Sequence, residues 1–490
     1  MATKTVAGDL IDRLQRIVGP GGVHHRPADL LVYEYDGSVE GAVDTARPLA
    51  VTLPTSTEQV AAIVRVARDA NLPVTARGAG TGLSGGAVAR EGGIIIALTR
   101  MDRVLEIDPI DHTALVEPGV INLELSEQTL PGGHFFAPDP SSQKACTIGG
   151  NVAENSGGPH CLKYGVTTNH ILGLEVVLPD GRIAWLGGGA ADRPGYDLTG
   201  ALVGSEGMLG IVTKALVRLT PVPAATVVML AAFANIDSAS QAVTRIIGVG
   251  ILPAALEMMD ALTIQAVEPT YHAGYPLDAG AVLLIEIDGQ ADDVAEMQDD
   301  IERICTECLA STVRVADSAD ERATLWKGRK MALAAMGRLA PNYYLHDTVV
   351  PRSKLPATLE HVARVSADYR LPIANVFHAG DGNLHPLMLF DRREAGAVER
   401  VLEASHELIH HCVELGGALS GEHGIGSEKR EYMSLVYTGE DLAAMAGLKN
   451  SFDPRGCFNP EKMFPTGYRC GEVRALERKL MDQRLGIYAV

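Results

Sequence analysis

Residues 77 to 88 read RGAGTGLSGGAV between two strand-like segments, and no other stretch limits the fold as tightly. A GxGxxG dinucleotide fingerprint must open a helix, so that a pyrophosphate meets the helix N-terminus. Here the glycines run on through Gly85, Gly86, Gly92 and Gly93 straight into Ile94-Ile95-Ile96, which reads as a strand. A Walker loop is excluded too, because no Gly-Lys-Ser/Thr follows. What remains is a loop between strands whose successive N–H groups can turn inward around an anion. An ordinary flexible turn is the plainer alternative.

The flanking pattern gives the loop a setting. LAVTLP reads as a strand, STEQVAAIVRVARDANL as an amphipathic helix opened by a Ser/Thr cap, and PVTAR as a strand again. A second small-residue segment, PDPSSQKACTIGGNVAENSGGPHCLKYGVT, spans 138–167, and a third, GSEGMLGIV, spans 204–212. Three such loops suit an extended phosphate-containing ligand lying against backbone. LGLEVVLPDGRIAWLG predicts a hairpin with an Asp-Gly turn. Beyond Pro221 and Pro223, TVVMLAAFANIDSASQAVTRIIG and AVLLIEIDGQADDVAEMQDDIERICTECL each read strand, turn, helix. That order predicts an antiparallel sheet with helices on one face. A chain of 490 residues exceeds what one core organises, so two domains or more are expected.

The formal charge of −19 excludes nucleic acid as a partner, since phosphate binding needs clustered Lys and Arg. No stretch reaches the roughly 18 uncharged apolar residues of a membrane-spanning helix, and the N-terminus has no apolar signal core. The expectation is a cytoplasmic protein whose membrane association, if any, comes through partners. Seven cysteines in a long chain fit reduced thiols. The lone pair Cys305 and Cys308 falls within helical apolar spacing and reads as a helix face.

A second constellation lies in NVFHAGDGNLHPLMLFD, residues 375–391. Two glycines, an Asn and Pro386 oppose a helix, and apolar runs flank Asp381-Gly382, so the segment reads as a hairpin with a two-residue turn. In that register His378 falls opposite His385, with Cβ atoms about 4.5–5.5 Å apart. Two imidazoles at that spacing can share a metal, and ALSGEHGIGSEKR supplies Glu422 as a third ligand beside His423. His2Glu with open positions is the pattern of a catalytic metal. The alternative is that both histidines bond to backbone carbonyls at the hairpin end.

The order of the glycine loops resembles the flavin-binding domain of the vanillyl-alcohol-oxidase family. NVFHAGDGNLHPLMLFD, GGALSGEHGIGSEKR and FDPRGCFNPEKMFP resemble the C-terminal domain of FAD-linked D-2-hydroxyacid dehydrogenases. The resemblance runs from about residue 10 to residue 466. It implies an α+β fold: a two-subdomain FAD-binding domain of the PCMH type, then a substrate cap domain of antiparallel sheet and helices. The implied boundaries are an N-terminal helical segment at 1–45, the FAD domain at 46–222 and the oxidase C-terminal domain at 223–465.

For the cofactor, the resemblance points to Arg77, Gly78, Ala79, Gly80, Thr81, Gly82, Ser84 and Gly85 in the first loop. In the second it points to Pro138, Asp139, Ser141, Thr147, Gly150, Asn151, Ser156, Gly157, Gly158, Tyr164 and Gly165. Glu206, Gly207, Gly210 and Ile211 follow in the third, and Asn459 near the flavin ring. No histidine occurs in 77–88, so the FAD is expected to be non-covalent. His378, His385 and Glu422 are then ligands of a divalent metal, expected to be zinc. His423 is the general base, and Arg329 binds the substrate carboxylate.

The implied activity is FAD-dependent oxidation of a small D-2-hydroxy acid, glycolate or D-lactate, to the 2-keto acid. In the D-2-hydroxyglutarate branch an Asn lies two residues past the second histidine and a Lys follows the paired aromatics. Leu387 and Leu345 stand at those positions, which disfavours a distal carboxylate; Tyr343 and Tyr344 are candidates to line the pocket or to pack as core. Oxidation of D-2-hydroxyglutarate is the runner-up within the family. A metal-dependent hydrolase is the alternative from another class, and it leaves the three loops without a role. The resemblance also implies partner subunits, one an iron-sulfur protein accepting electrons, while a homo-oligomer is left open. Residues 466–490 read as a helical extension, with Val473, Leu476 and Leu480 at helical spacing.

Overall fold

The computed structural model describes residues 6–38, 47–89, 92–190 and 195–466. The expected C-terminal extension lies outside these residues apart from Thr466. Near the start, VAGDLIDRLQRIV forms the helix Val6–Val18. The helix Thr57–Asp69 begins where expected: the Ser56 side chain accepts the N–H of Gln59, a cap that contributes about 1 kcal/mol. Its face of Val60, Ile63, Val64 and Ala67 packs on Ile94, Ile96 and Val74. Those strands form a four-stranded sheet, in which Ala50–Thr52 and Val74–Arg77 both run parallel to the central Ile94–Ala97. The glycine loop is therefore a crossover between parallel neighbours with no helix in it.

A second sheet is antiparallel, ordered Val104–Asp108, Thr113–Val116, Ile211–Arg218, Ile171–Val177, Ile183–Gly187. The Asp180-Gly181 hairpin forms as expected, with Val177 opposite Ile183. Both sheets belong to one of the two units into which the chain divides, comprising 1–156, 166–221 and 422–490.

The other unit holds 157–165 and 222–421. Its sheet runs Ala310–Val315, Ala225–Phe233, Ala281–Gly289, Ala255–Asp260, Ile373–His378, Asn383–Leu384, Thr348–Val349, with Asn342–Leu345 paired to Pro386–Phe390 alongside. The expectation of helices on one face is corrected. Met229, Ala231 and Phe233 join a core with Val243, Ile246 and Ile301, while Val228, Leu230 and Ala232 join another with Ile264, Val267 and Leu325. The physical reason was present in the strands: ATVVMLAAF and AVLLIEIDG are apolar at both alternations and need cover on both sides. Cys305 and Cys308 lie on the inner face of the helix Ala291–Glu307 and its end, as free thiols. Burial pushes the Cys305 thiol up to about 12.

Candidate active site

In the first unit the glycine loop is shaped by close contacts with its own chain. A Cβ on Gly78 would stand 2.4 Å from Thr147 Oγ1, and one on Gly80, where φ is +73°, 2.2 Å from the Arg77 guanidinium. Arg77 is thus turned beneath the loop, over the Tyr33 ring, with the carbonyls of Val32 and Ala87 each 3.4 Å away. Burial pulls its guanidinium below the ordinary value. Among the described hydrogen bonds, the N–H groups of Ala79, Gly80, Thr81 and Gly82 donate to no protein acceptor. Consecutive unspent N–H groups in a glycine-rich turn suit the phosphates of FAD.

Thr147 caps the helix Ile148–Glu154, its side chain accepting the N–H of Gly150. Asn151 is buried and accepts from Asn122 at 3.0 Å, and Asn122 also reaches the Pro138 carbonyl at 2.9 Å. Asn459 ties the first loop to the third. Its amide donates to the carbonyls of Gly86 at 2.9 Å and Glu206 at 2.7 Å, and its oxygen receives Thr75 Oγ1 at 3.2 Å. Its side chain is spent on the loops, so it shapes the cradle. Ser84 Oγ, buried at 1% exposure, has no protein partner, which leaves polar demand for a ligand inside the cradle. The residues present fit FAD.

Gly157, Gly158, Tyr164 and Gly165, grouped by sequence with the flavin loops, belong to the second unit. There the Tyr164 hydroxyl donates to Asp288 at 2.6 Å, and Lys163 Nζ bonds the Asp288 carbonyl at 2.7 Å.

The hairpin register is also corrected. His378 pairs with Asn383, Asn375 with Pro386 and Ala374 with Leu387, so the turn is four residues, Ala379 to Gly382. His385 is displaced by two residues from the position opposite His378. A one-residue slip would have sent it to the other face; a two-residue slip preserves the face. The rings meet edge to face with centroids 5.1 Å apart. The turn's last residue must be glycine: Gly382 has φ +80°, and a Cβ there would stand 2.3 Å from the Val350 carbonyl oxygen.

Glu422 follows directly on Gly421, whose N–H bonds both carboxylate oxygens of Asp347, at 3.1 and 3.0 Å. A Cβ on Gly421 would stand 2.4 Å from the Asn383 amide, so only glycine allows this approach. His378 and His385 supply two imidazoles within the second unit, and Glu422 and His423 follow Gly421 in the chain. Two imidazoles and a carboxylate are a donor set that suits zinc and leaves positions open.

Two residues of this site went unread in the sequence. Glu257, wholly buried on the strand Ala255–Asp260, lies opposite His378 and accepts from its Nδ1 at 2.8 Å. That bond makes Nε2 the ring atom a metal would take. The same carboxylate receives Arg329 Nε at 2.7 Å and Nη2 at 2.6 Å. Burial pushes the Glu257 carboxyl up, but the charges and hydrogen bonds of His378 and Arg329 outweigh it and hold the group below its ordinary value. The signal was one carboxylate within ALEMMD, a strand otherwise apolar on both faces until its final Asp. Asp347 is the second; besides Gly421 it accepts from Ser420 at 2.6 Å and stands 3.8 Å from His385 Nδ1.

Leu345 and Leu387 prove to be direct cross-strand partners, Leu387 in the apolar core and Leu345 packed against it. Tyr344 is buried beside them and Tyr343 lies at the surface.

The architecture is that of a flavoprotein oxidoreductase: α+β, with a PCMH-type FAD-binding domain and a cap of antiparallel sheet and helices. Residues 48–187 match the family described as FAD binding domain, and residues 222–463 match FAD linked oxidases, C-terminal domain. The chain belongs to the FAD-linked oxidase family. It is 47% identical to the glycolate oxidase subunit GlcD of Escherichia coli K12, over 92% of this chain and 90% of that one. It is 33% identical to the D-lactate dehydrogenase of Anaerostipes hadrus, over 85% and 90% of the two chains. The fold is shared with p-cresol methylhydroxylase, at TM-score 0.79 and 17% identity over 93% of this chain and 96% of that one.

Proposed function

We propose that this chain oxidises a small D-2-hydroxy acid, glycolate or D-lactate, to the 2-keto acid, with His378, His385 and Glu422 holding a divalent metal. The observation that carries the reading is the Glu257 carboxylate bridging a metal-ligand histidine and the arginine suited to a substrate carboxylate. When bound, FAD supplies the acceptor for the Cα hydride and the cation supplies polarisation of the substrate hydroxyl. The rest falls to the chain. Arg329 has five N–H donors and spends two on Glu257, so the remainder can take the substrate carboxylate. Glu257 keeps that guanidinium planted and orients the His378 ring. His423, whose ordinary pKa near 6.5 suits neutral pH, takes the hydroxyl proton.

The apolar Leu345–Leu387 pair supports a monoacid, since neither side chain can meet a second carboxylate. The relatives named as subunits and dehydrogenases support onward transfer of electrons to a separate acceptor, for which an iron-sulfur partner is suited. No helix among the described residues is long and apolar enough to cross a membrane. The test is composition: the purified chain is expected to be yellow, to release FAD on denaturation, and to hold a stoichiometric divalent metal. A folded chain that cannot be reconstituted with FAD overturns the reading, and one that holds FAD but no metal removes its metal step.

A further inference from the structure

Two carboxyl groups of the first unit have no part in the reaction above. Glu206 sits in the GSEG turn, buried, at φ +51°. It accepts the N–H of Ile425 at 2.8 Å on one oxygen, and that of Gly426 on both, at 3.0 and 2.8 Å. Glu154 closes the helix Ile148–Glu154, and its Oε2 is shielded from solvent without a hydrogen-bond partner. Gly424 brings the two together. A Cβ there would stand 2.3 Å from Glu154 Oε2, 3.1 Å from Glu206 Oε1 and 3.5 Å from the unpartnered, buried Ser84 Oγ. A Cβ on Gly86 would stand 2.6 Å from the other Glu154 oxygen.

We propose that Glu154 and Glu206 hold one proton between them and act as positioning residues for loop 424–427, which sets where His423 stands. Glu206, as the anion, grips the backbone N–H groups of Ile425 and Gly426, while Glu154, neutral, fills the space beside Gly424 without repelling it. The inference rests on the proposed role of His423 as base.

The surroundings agree. Burial first, then the charges of Glu206 and Asp36, push the Glu154 carboxyl well above its ordinary value, and Lys462 opposes them. Burial raises Glu206 as well, opposed by the N–H groups of Gly426 and Ile425 and by Lys462 and Lys429. Two carboxylates sharing a dry site cannot both ionise cheaply, and the one that accepts backbone N–H groups keeps the charge. For an acid raised in the folded state, the stabilisation is complete below the ordinary glutamate value. It is lost as pH rises through the folded value of Glu154, where the second charge presses on Glu206 and the loop.

The test uses the full-length FAD-loaded protein. Flavin reduction by glycolate or D-lactate is followed anaerobically across pH for wild type, Glu154→Gln and Glu206→Gln, alongside infrared spectra of each. Wild type is expected to show a protonated-carboxyl band at neutral pH that disappears in alkali and is missing from Glu154→Gln. Glu154→Gln is expected to move the alkaline limb of the rate upward by about one pH unit or more. Glu206→Gln is expected to lower the limiting rate about ten- to a hundredfold, with little change in KM or flavin content, because the base is misplaced. A pH profile unchanged in Glu154→Gln, or a wild type without the band, overturns the proposal. If Glu154→Gln does not fold, the wild-type band and its alkaline loss decide. If no hydroxy acid reduces wild type, the proposed function fails, and the band alone then decides whether the proton is shared.

Discussion

Replacing Glu257 by Gln separates the two tasks assigned to one carboxylate. The group is wholly buried and is the counter-ion of Arg329, itself only 4% exposed. Removing one partner of a buried pair leaves the other charge uncompensated, at a cost of about 3–5 kcal/mol. Gln keeps an oxygen that can accept one N–H, so the lower end, about 3 kcal/mol, is expected. The second effect is on the metal. A carboxylate that receives the far N–H of a ligating histidine fixes its tautomer and raises its basicity, and its loss weakens metal binding about 10- to 100-fold. In free energy this is about 1.4–2.7 kcal/mol, distinct from the folding effect and measured on protein that remains folded. Competition titration against a chelating indicator gives the affinity, and urea unfolding of the metal-free protein gives the stability. Metal affinity within twofold of wild type, together with an unchanged unfolding midpoint, would refute the bridging role of Glu257.

His423→Ala is expected to retain FAD and metal while flavin reduction by substrate slows about 10²- to 10⁴-fold, the usual contribution of a general base; an unchanged rate in stopped-flow removes that role. Leu387→Asn places an amide in an apolar core beside Leu345, and is expected to cost about 3 kcal/mol or more in urea unfolding. A neutral effect would mean the position faces polar space, and the argument against a second substrate carboxylate would go with it.

The glycine loops were legible because runs of glycine permit close approach, seen in Gly78 against Thr147 and Gly80 against Arg77. Which contacts forced the glycines was not legible, since those partners lie elsewhere in the chain. The histidine pair was found through a register wrong by two residues, and it survived because side-chain direction in a strand repeats every two. Glu257 was missed for a different reason. Its significance comes from His378 and Arg329, more than seventy positions away, and a single acid in an apolar strand does not name its partners. Helices on both faces of the cap sheet, by contrast, could have been read from strands apolar at both alternations.

Anaerobic titration of the full-length, FAD-loaded, metal-replete chain with glycolate, D-lactate, L-lactate and D-2-hydroxyglutarate tests the account most directly. Glycolate or D-lactate is expected to bleach the flavin within the mixing time of a manual experiment, with L-lactate and D-2-hydroxyglutarate far slower. A flavin that stays oxidised with every 2-hydroxy acid, or that D-2-hydroxyglutarate reduces fastest, would contradict it.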